Sequence, residues 1–272
     1  MTSPALVQMP SHVAALGWLP TPGRNAHAQL ALPTDLFMVT VHRGDDPSAL
    51  ELSVTLLRTR PERFCSSVPG ELAFALLTPA GLLALLRAPL EGAADRRLPL
   101  AQFCSRDEMR ALRDALASEA DPDLRMRCFG AWIEARLVQR QQRHAFGAPR
   151  QRVAEAAALI QHHPGPLPLT RLRRVLHVSQ RQLERDFRFW LGVSPAAYAR
   201  LVRFQRAAMA LAGGDSLCGA AAGHAFADQS HMNRAFRQLS SLTPREFVHL
   251  ARPWRHAERR ALAGRFVVVE AP

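Results

Sequence analysis

The chain has 272 residues, 48% of them hydrophobic and 21% charged, which excludes a wholly disordered or fibrous polymer and allows one or two cores. Its formal net charge of +12 suits an anionic partner, either nucleic acid or an acidic membrane surface. Residues 1–150 hold 17 Arg against 15 acids and residues 151–272 hold 18 against 8, so the basic excess belongs to the C-terminal part. There is no Lys, so every fixed positive charge is a guanidinium, a group that forks onto phosphate or guanine. The missing Lys reads as compositional bias in an Ala-rich chain, and the charge asymmetry is the informative part.

The N-terminus has no basic region followed by a long apolar one, and no apolar run approaches a membrane span, so a cytoplasmic protein with no membrane partner is expected. Cys65, Cys104, Cys128 and Cys218 form no C-x-x-C pair and read as reduced, scattered core thiols. In chain order, short strands are predicted at 35–42, at 50–57, where Leu50, Leu52, Val54 and Leu56 alternate with polar residues, and at 71–78. Pro and Gly punctuate these runs, so residues up to about 100 read as a β-rich unit with a short helix at 79–87. Ser105, with Glu108 three residues on, is a capping box opening a helix that carries Met109, Leu112 and Leu116 on one face. A second helix, 124–146, carries Phe129, Trp132, Ile133 and Leu137, and either packs on the sheet or pairs with a copy of itself.

Residues 147–151 read as a linker, and beyond it only helices follow until a strand-like run at 266–269. The helices are predicted at 152–163, 169–176, 179–191, 195–212, 216–223, 228–239 and 244–250. Two stretches share one design: a short helix, a tight turn, then a longer polar helix opened by Ser179 or by Asp228. This is helix-turn-helix grammar, occurring twice. Leu183, Phe187 and Leu191 mark the buried face of the first polar helix, and Met232, Ala235, Phe236 and Leu239 that of the second. The opposite faces are candidates for DNA contact: Gln180, Arg181, Gln182, Glu184, Arg185 and Arg188 in the first, Gln229, Ser230, His231, Asn233, Arg234 and Arg237 in the second. Arg pairs bidentately with guanine, Gln or Asn with adenine, and Glu accepts from cytosine. The bland alternative for these charges, a solvated helix face, is weakened by their place directly after two such turns.

The two polar helices begin 49 residues apart, bridged by a helical pattern from Pro195 to Ala212. That bridge spans about 27 Å at roughly 1.5 Å per residue, enough with the helix diameters to set both on one face of B-DNA, where successive major grooves lie about 34 Å apart.

The run from Ser179 to Ala207, S-x-R-Q-L-E-R-x-F-R-x-x-L-G-x-S-P-x-x-Y-x-R-L-x-R-x-x-x-A, followed by AFADQSHMNRAFRQLSSLTPREF from Ala225 to Phe247, resembles the DNA-binding domain of AraC/XylS-type transcriptional regulators. The resemblance covers nearly all of 152–250. It implies two helix-turn-helix units joined by a long helix, promoter DNA and RNA polymerase as partners, and an N-terminal domain that senses a small molecule or forms a homodimer. Within the motif, the base-contacting positions fall on Arg181, Glu184 and Arg185, and on Gln229, Ser230, His231, Asn233 and Arg234. The chain departs from the pattern where Arg173 replaces a small Ala and where His177, Ala225 and Ser241 replace turn glycines; Gly219 and Gly223 weaken the short second-unit helix by roughly 1 kcal/mol each. The N-terminal part is similar to the β-rich, cupin-like sensor half of some of these regulators.

The expected architecture is therefore α+β: a sensor or dimerisation domain at 1–146, an all-α DNA-binding domain at 152–250, and a basic C-terminal tail at 251–272 that either grazes the DNA backbone or forms a solvated helix. His162 with His163, and His27 with His42, lack metal-ligand spacing, and no cofactor motif, Walker loop or G-x-S-x-G is present, so no metal, cofactor or enzyme is expected. Two alternatives remain: an adaptor-like regulator in which only the first unit binds DNA, and an enzyme fused to a helix-turn-helix domain, which would require an activated nucleophile or a zinc-binding Cys cluster.

Overall fold

The computed structural model describes residues 12–21, 29–44, 46, 49–64, 69–86, 88–143, 148–163, 165–251 and 268–270. Strands β1 (Val13–Thr21), β2 (Gln29–Ala31), β3 (Phe37–Arg43), β4 (Leu50–Thr55), β5 (Glu62–Phe64), β6 (Gly70–Leu77), β7 (Arg97–Pro99) and β8 (Val268–Glu270) form two antiparallel sheets. The larger has the order β1-β6-β3-β4-β7 and the smaller β5-β2-β8. The run Ala73–Leu77 is buried throughout because both faces of the larger sheet are covered: Ala73, Ala75 and Leu77 enter the main core, while Phe74 and Leu76 pack with Ala15 and Leu36 on the other side. In β3 and β4 the buried hydroxyls of Thr40 and Ser53 satisfy each other at 2.7 Å, so the alternation tolerates polar residues facing inward.

Helix α1 (Pro79–Leu86) is apolar all round and packs against α3 (Pro122–Arg143) and α4 (Ala148–His162). Helix α2 (Arg106–Ser118) opens with the predicted capping box, the Ser105 hydroxyl accepting from the Glu108 N–H and the Glu108 carboxylate from the Ser105 N–H. Burial pushes the Glu108 carboxyl up, but the Ser105 N–H and the Arg136 guanidinium at 2.7 Å outweigh it, leaving the pKa below its ordinary value. Gly130 lets α3 lie directly on β1, since a Cβ there would stand 2.5 Å from Leu16 Cδ2. The Trp18 indole N–H donates to Asp123 at 2.9 Å, and buried Arg125 pairs with Glu71 and donates to the carbonyls of Glu119 and Ala120.

Helices α5 (Leu169–Val175), α6 (Gln180–Leu191), α7 (Pro195–Gly213), α8 (Leu217–Gly223), α9 (Gln229–Ser240) and α10 (Pro244–Ala251) follow. The expected linker is different: Ala148, Pro149 and Arg150 form the first turn of α4, while Gly147 lies outside the described residues. The core explains why. One cluster runs from Val39, Leu52 and Leu83 through Phe129 and Val153 to Phe187, Tyr198 and Val202, so the sheet region and the first helix-turn-helix unit share a single interior. A second cluster joins Phe204, Met232, Phe236 and Phe247 to Leu30 and Leu32 around β2. The expected tail also changes character at its end, where Val268–Glu270 pair with β2; residues 252–267 lie outside the described residues. The thiols are not core groups either: Cys128 and Cys218 are exposed and Cys104 is half-buried, while Cys65, like His27, lies outside the described residues.

Candidate nucleic-acid interface

Both helix-turn-helix units are built by the same local rule. After α5 the Val178 N–H donates to the Arg173 carbonyl at 3.1 Å, and after α8 the Phe226 N–H donates to the Ala221 carbonyl at 3.0 Å. In each, the intervening residue adopts the left-handed conformation, His177 at φ 52° and Ala225 at φ 56°. This is the Schellman turn, normally closed by Gly because a Cβ is strained there. Ser241, at φ 61°, ends α9 in the same conformation. All three residues that replace glycines of the resembled pattern therefore occupy left-handed positions.

The polar helices then start on side-chain caps, Ser179 Oγ accepting from the Gln182 N–H at 3.1 Å and Asp228 Oδ1 from the His231 N–H at 2.6 Å. Leu183, Phe187 and Leu191 of α6 are buried, as are Met232 and Phe236 of α9, with Ala235 and Leu239 half-buried. Helix α7 joins the units, with Tyr198 and Phe204 in its buried face. At 19 residues it is about 28 Å long.

On α6, Gln180, Arg181, Arg185 and Arg188 are exposed, and Gln182 and Glu184 are half-buried. Gln180 accepts from Arg173 at 3.3 Å and donates to Glu184 at 3.3 Å, and Glu184 faces Arg188 at 3.6 Å. On α9, Ser230, Arg234 and Arg237 are exposed, and Gln229, His231 and Asn233 are half-buried. The His231 ring accepts from the Ala227 N–H at 3.3 Å and stands edge-on to Phe226, which occupies it within its own unit. Gln229 accepts from the Cys218 thiol at 3.7 Å. The outer faces of the two helices are thus rich in guanidinium, the group that combines phosphate anchoring with guanine readout.

Sequence reading passed over Asp186, which lies on the buried face beside Phe187 and pairs with Arg152 of α4. The signal was available: Asp186 falls three residues after Leu183, inside the apolar stripe, where a carboxylate requires a partner. Near the second unit, burial holds the His224 imidazole pKa down, the Arg206 guanidinium lowers it further, and Asp215 opposes them. Among the described residues no His, Cys, Asp and Glu cluster could hold a metal ion, and no helix is long and apolar enough to cross a membrane.

Residues 172–249 match a family model described as a helix-turn-helix domain. No curated protein sequence matches the chain. Among solved structures, ToxT from Vibrio cholerae O395 is 8% identical with a TM-score of 0.44, covering 86% of this chain and 96% of that one. Unsaturated fatty acid bound wild-type ToxT from Vibrio cholerae strain SCE256 is 9% identical with a TM-score of 0.43, covering 89% and 96%. At such identities and scores neither likeness bears on function. The matched segment spans both Schellman turns, both capped polar helices and the bridge between them, so the likeness to helix-turn-helix domains covers the whole of the repeated unit.

Proposed function

We propose that this chain is a sequence-specific regulator of transcription that reads promoter DNA through α6 and α9, in concert with RNA polymerase. The observation that carries this reading is the repeat itself: two capped helices with guanidinium-rich outer faces, each set by the same turn and held apart by α7. In this reading Arg181, Glu184 and Arg185, with Gln229, Ser230, Asn233 and Arg234, meet base edges, while Arg188 and Arg237 hold phosphates. The N-terminal part modulates this binding through a small molecule or self-association. Self-association is favoured by α3, whose outer face presents Leu124, Cys128, Ala131, Ala135 and Val138, all exposed. Their alternating steps of four and three follow the 3.5-residue period of a helix-helix seam.

The test is a salt-titrated selection of bound sequences from random duplexes by the full-length protein. A two-part motif spaced by about one helical turn is expected. A single half-motif would favour the adaptor reading, in which only the first unit reads bases; Gly219 and Gly223, which weaken the short helix of the second unit alone, give that reading its physical basis. No enrichment at any salt concentration would overturn both. Within the expected motif, Arg185→Ala removes the preference at one base position, whereas Arg188→Ala weakens all sequences alike and flattens the salt slope by roughly one phosphate contact.

A further inference from the structure

We propose that Gln182 is a positioning residue for Arg185 rather than a reader of bases, the outermost link of a hydrogen-bond chain that runs from Arg152 of α4 through Asp186. The inference rests on the reading of Arg185 as a base-contacting side chain. The Asp186 side chain is only 5% exposed, although it belongs to a helix whose other face meets solvent. Its Oδ2 accepts from Arg152 Nη1, and its Oδ1 accepts from Gln182 Nε2 at 2.7 Å.

That second bond settles which way the Gln182 amide faces. A carboxylate accepts and cannot donate, so the NH2 group must turn inward to Asp186 and the amide oxygen outward. The outward oxygen accepts from Arg185 Nη2 at 2.7 Å. Arg185 Nε lies 3.9 Å from Asp186 Oδ1, so the carboxylate's charge reinforces the same placement. The guanidinium thus spends one of its five N–H groups on its own helix, and the side chain is 72% exposed. A guanidinium must present two N–H groups in plane to O6 and N7 of guanine, and a free Arg side chain samples many rotamers before it does so. Anchoring one nitrogen from behind restricts that search before DNA arrives. Gln182 is half-buried, and swinging out to touch a base would break its bond to Asp186.

The experiment compares the full-length protein with Gln182→Met, Arg185→Ala and the double variant, by selection from random duplexes, salt-titrated binding and thermal melting. Met matches Gln in length and makes neither hydrogen bond. Gln182→Met is expected to reduce, by roughly two- to tenfold, the preference at the base position that Arg185→Ala abolishes, the range expected for releasing one long side chain. The other positions and the salt slope stay as they were, while the melting temperature falls, because Oδ1 of the buried Asp186 loses its hydrogen-bond donor. In the Arg185→Ala background Gln182→Met should have no further effect on base preference, since in that readout the two act as one unit. Loss at a second base position in that background would overturn the proposal, because Gln182 would then be reading on its own. So would an unchanged motif in Gln182→Met while Arg185→Ala loses a position. If Arg185→Ala itself keeps every base preference, the reading of Arg185 falls and the proposal falls with it.

Discussion

At the scale of single residues, Ala225 shows how a chain can keep a turn without its usual glycine. At φ 56° its Cβ is strained by about 1 kcal/mol or more, and the turn persists because Phe226 is buried and its N–H is bonded to Ala221. Ala225→Gly relieves that strain, offset in part by the freer unfolded chain. The expected net gain is a few tenths to about 1 kcal/mol, a rise of roughly 1–4 °C in melting temperature, readable by calorimetry. An unchanged or lower melting temperature would mean that the surrounding contacts already absorb the strain. The substitution itself was legible in the sequence as a departure from the resembled pattern, but whether it costs anything depends on φ, which no residue name supplies. The same limit applied to Gln182. Its place on the polar face made it a candidate for DNA contact, and its bond to a buried Asp186 is visible only in the structure.

At the scale of elements, legibility followed the number of local signals each segment carries. Helices α2, α6, α7, α8 and α9 each start on a Ser or Asp that caps them in the structure, and these were predicted to within a residue or two. The strands β2, β5 and β7 have three residues each, too few to establish a period, and β1 is interrupted in sequence by Gly17 and Pro20, so all four went unread. The two roles offered for α3, packing on the sheet or pairing with a copy, are not exclusive. Met126, Phe129, Ile133 and Leu137 are buried on one side, while Leu124 and Val138 are 44% and 51% exposed on the other. Val138→Glu should therefore leave the fold intact and shift the protein from dimer to monomer in sedimentation; a wild-type protein that is monomeric at all concentrations would remove α3 as a pairing surface. The end of α8 supplies a pH dependence. The His224 pKa is lowered on folding, so the folded state favours neutral imidazole and the unfolded chain binds the proton more readily. Stability from this group is present above about pH 6.5 and is lost as pH falls below that ordinary value. His12, lowered by burial, acts in the same sense. Thermal melts from pH 7.5 to 5.5 should fall, and His224→Asn should shallow the fall; an identical slope in that variant would assign the effect elsewhere.

At the scale of the molecule, the sheet region and the helical part share their interiors. Composition and period had suggested two units, because the change from alternating to helical pattern is sharp, but contacts between distant segments leave no local trace. The segment between β2 and β3 is the clearest case. Buried Gln205 of α7 donates to the Pro33 carbonyl at 2.6 Å, Tyr198 of α7 to the Asp35 carbonyl at 3.2 Å, and Gln161 of α4 to the Asp35 carboxylate at 3.0 Å. The Leu90 N–H donates to the Phe189 carbonyl in the last turn of α6 at 2.8 Å. A fragment comprising residues 148–272 would lose these bonds and expose the apolar surfaces that Leu30, Leu32 and the sheet cover. It should melt at lower temperature and with less cooperativity than the whole chain, and equal melting curves would show that the helical part is self-sufficient.

The fastening of α7 also bears on the DNA that this protein can use. A helix clamped at Tyr198 and Gln205, seven residues apart and two turns along its axis, cannot flex or rotate freely to follow its target. Each base pair inserted between two half-sites turns one of them by about 35° around the duplex, from roughly 10–10.5 base pairs per turn. On the proposed reading the molecule would behave as a calliper of fixed opening, and its half-sites would be constrained in phase as strictly as in their letters.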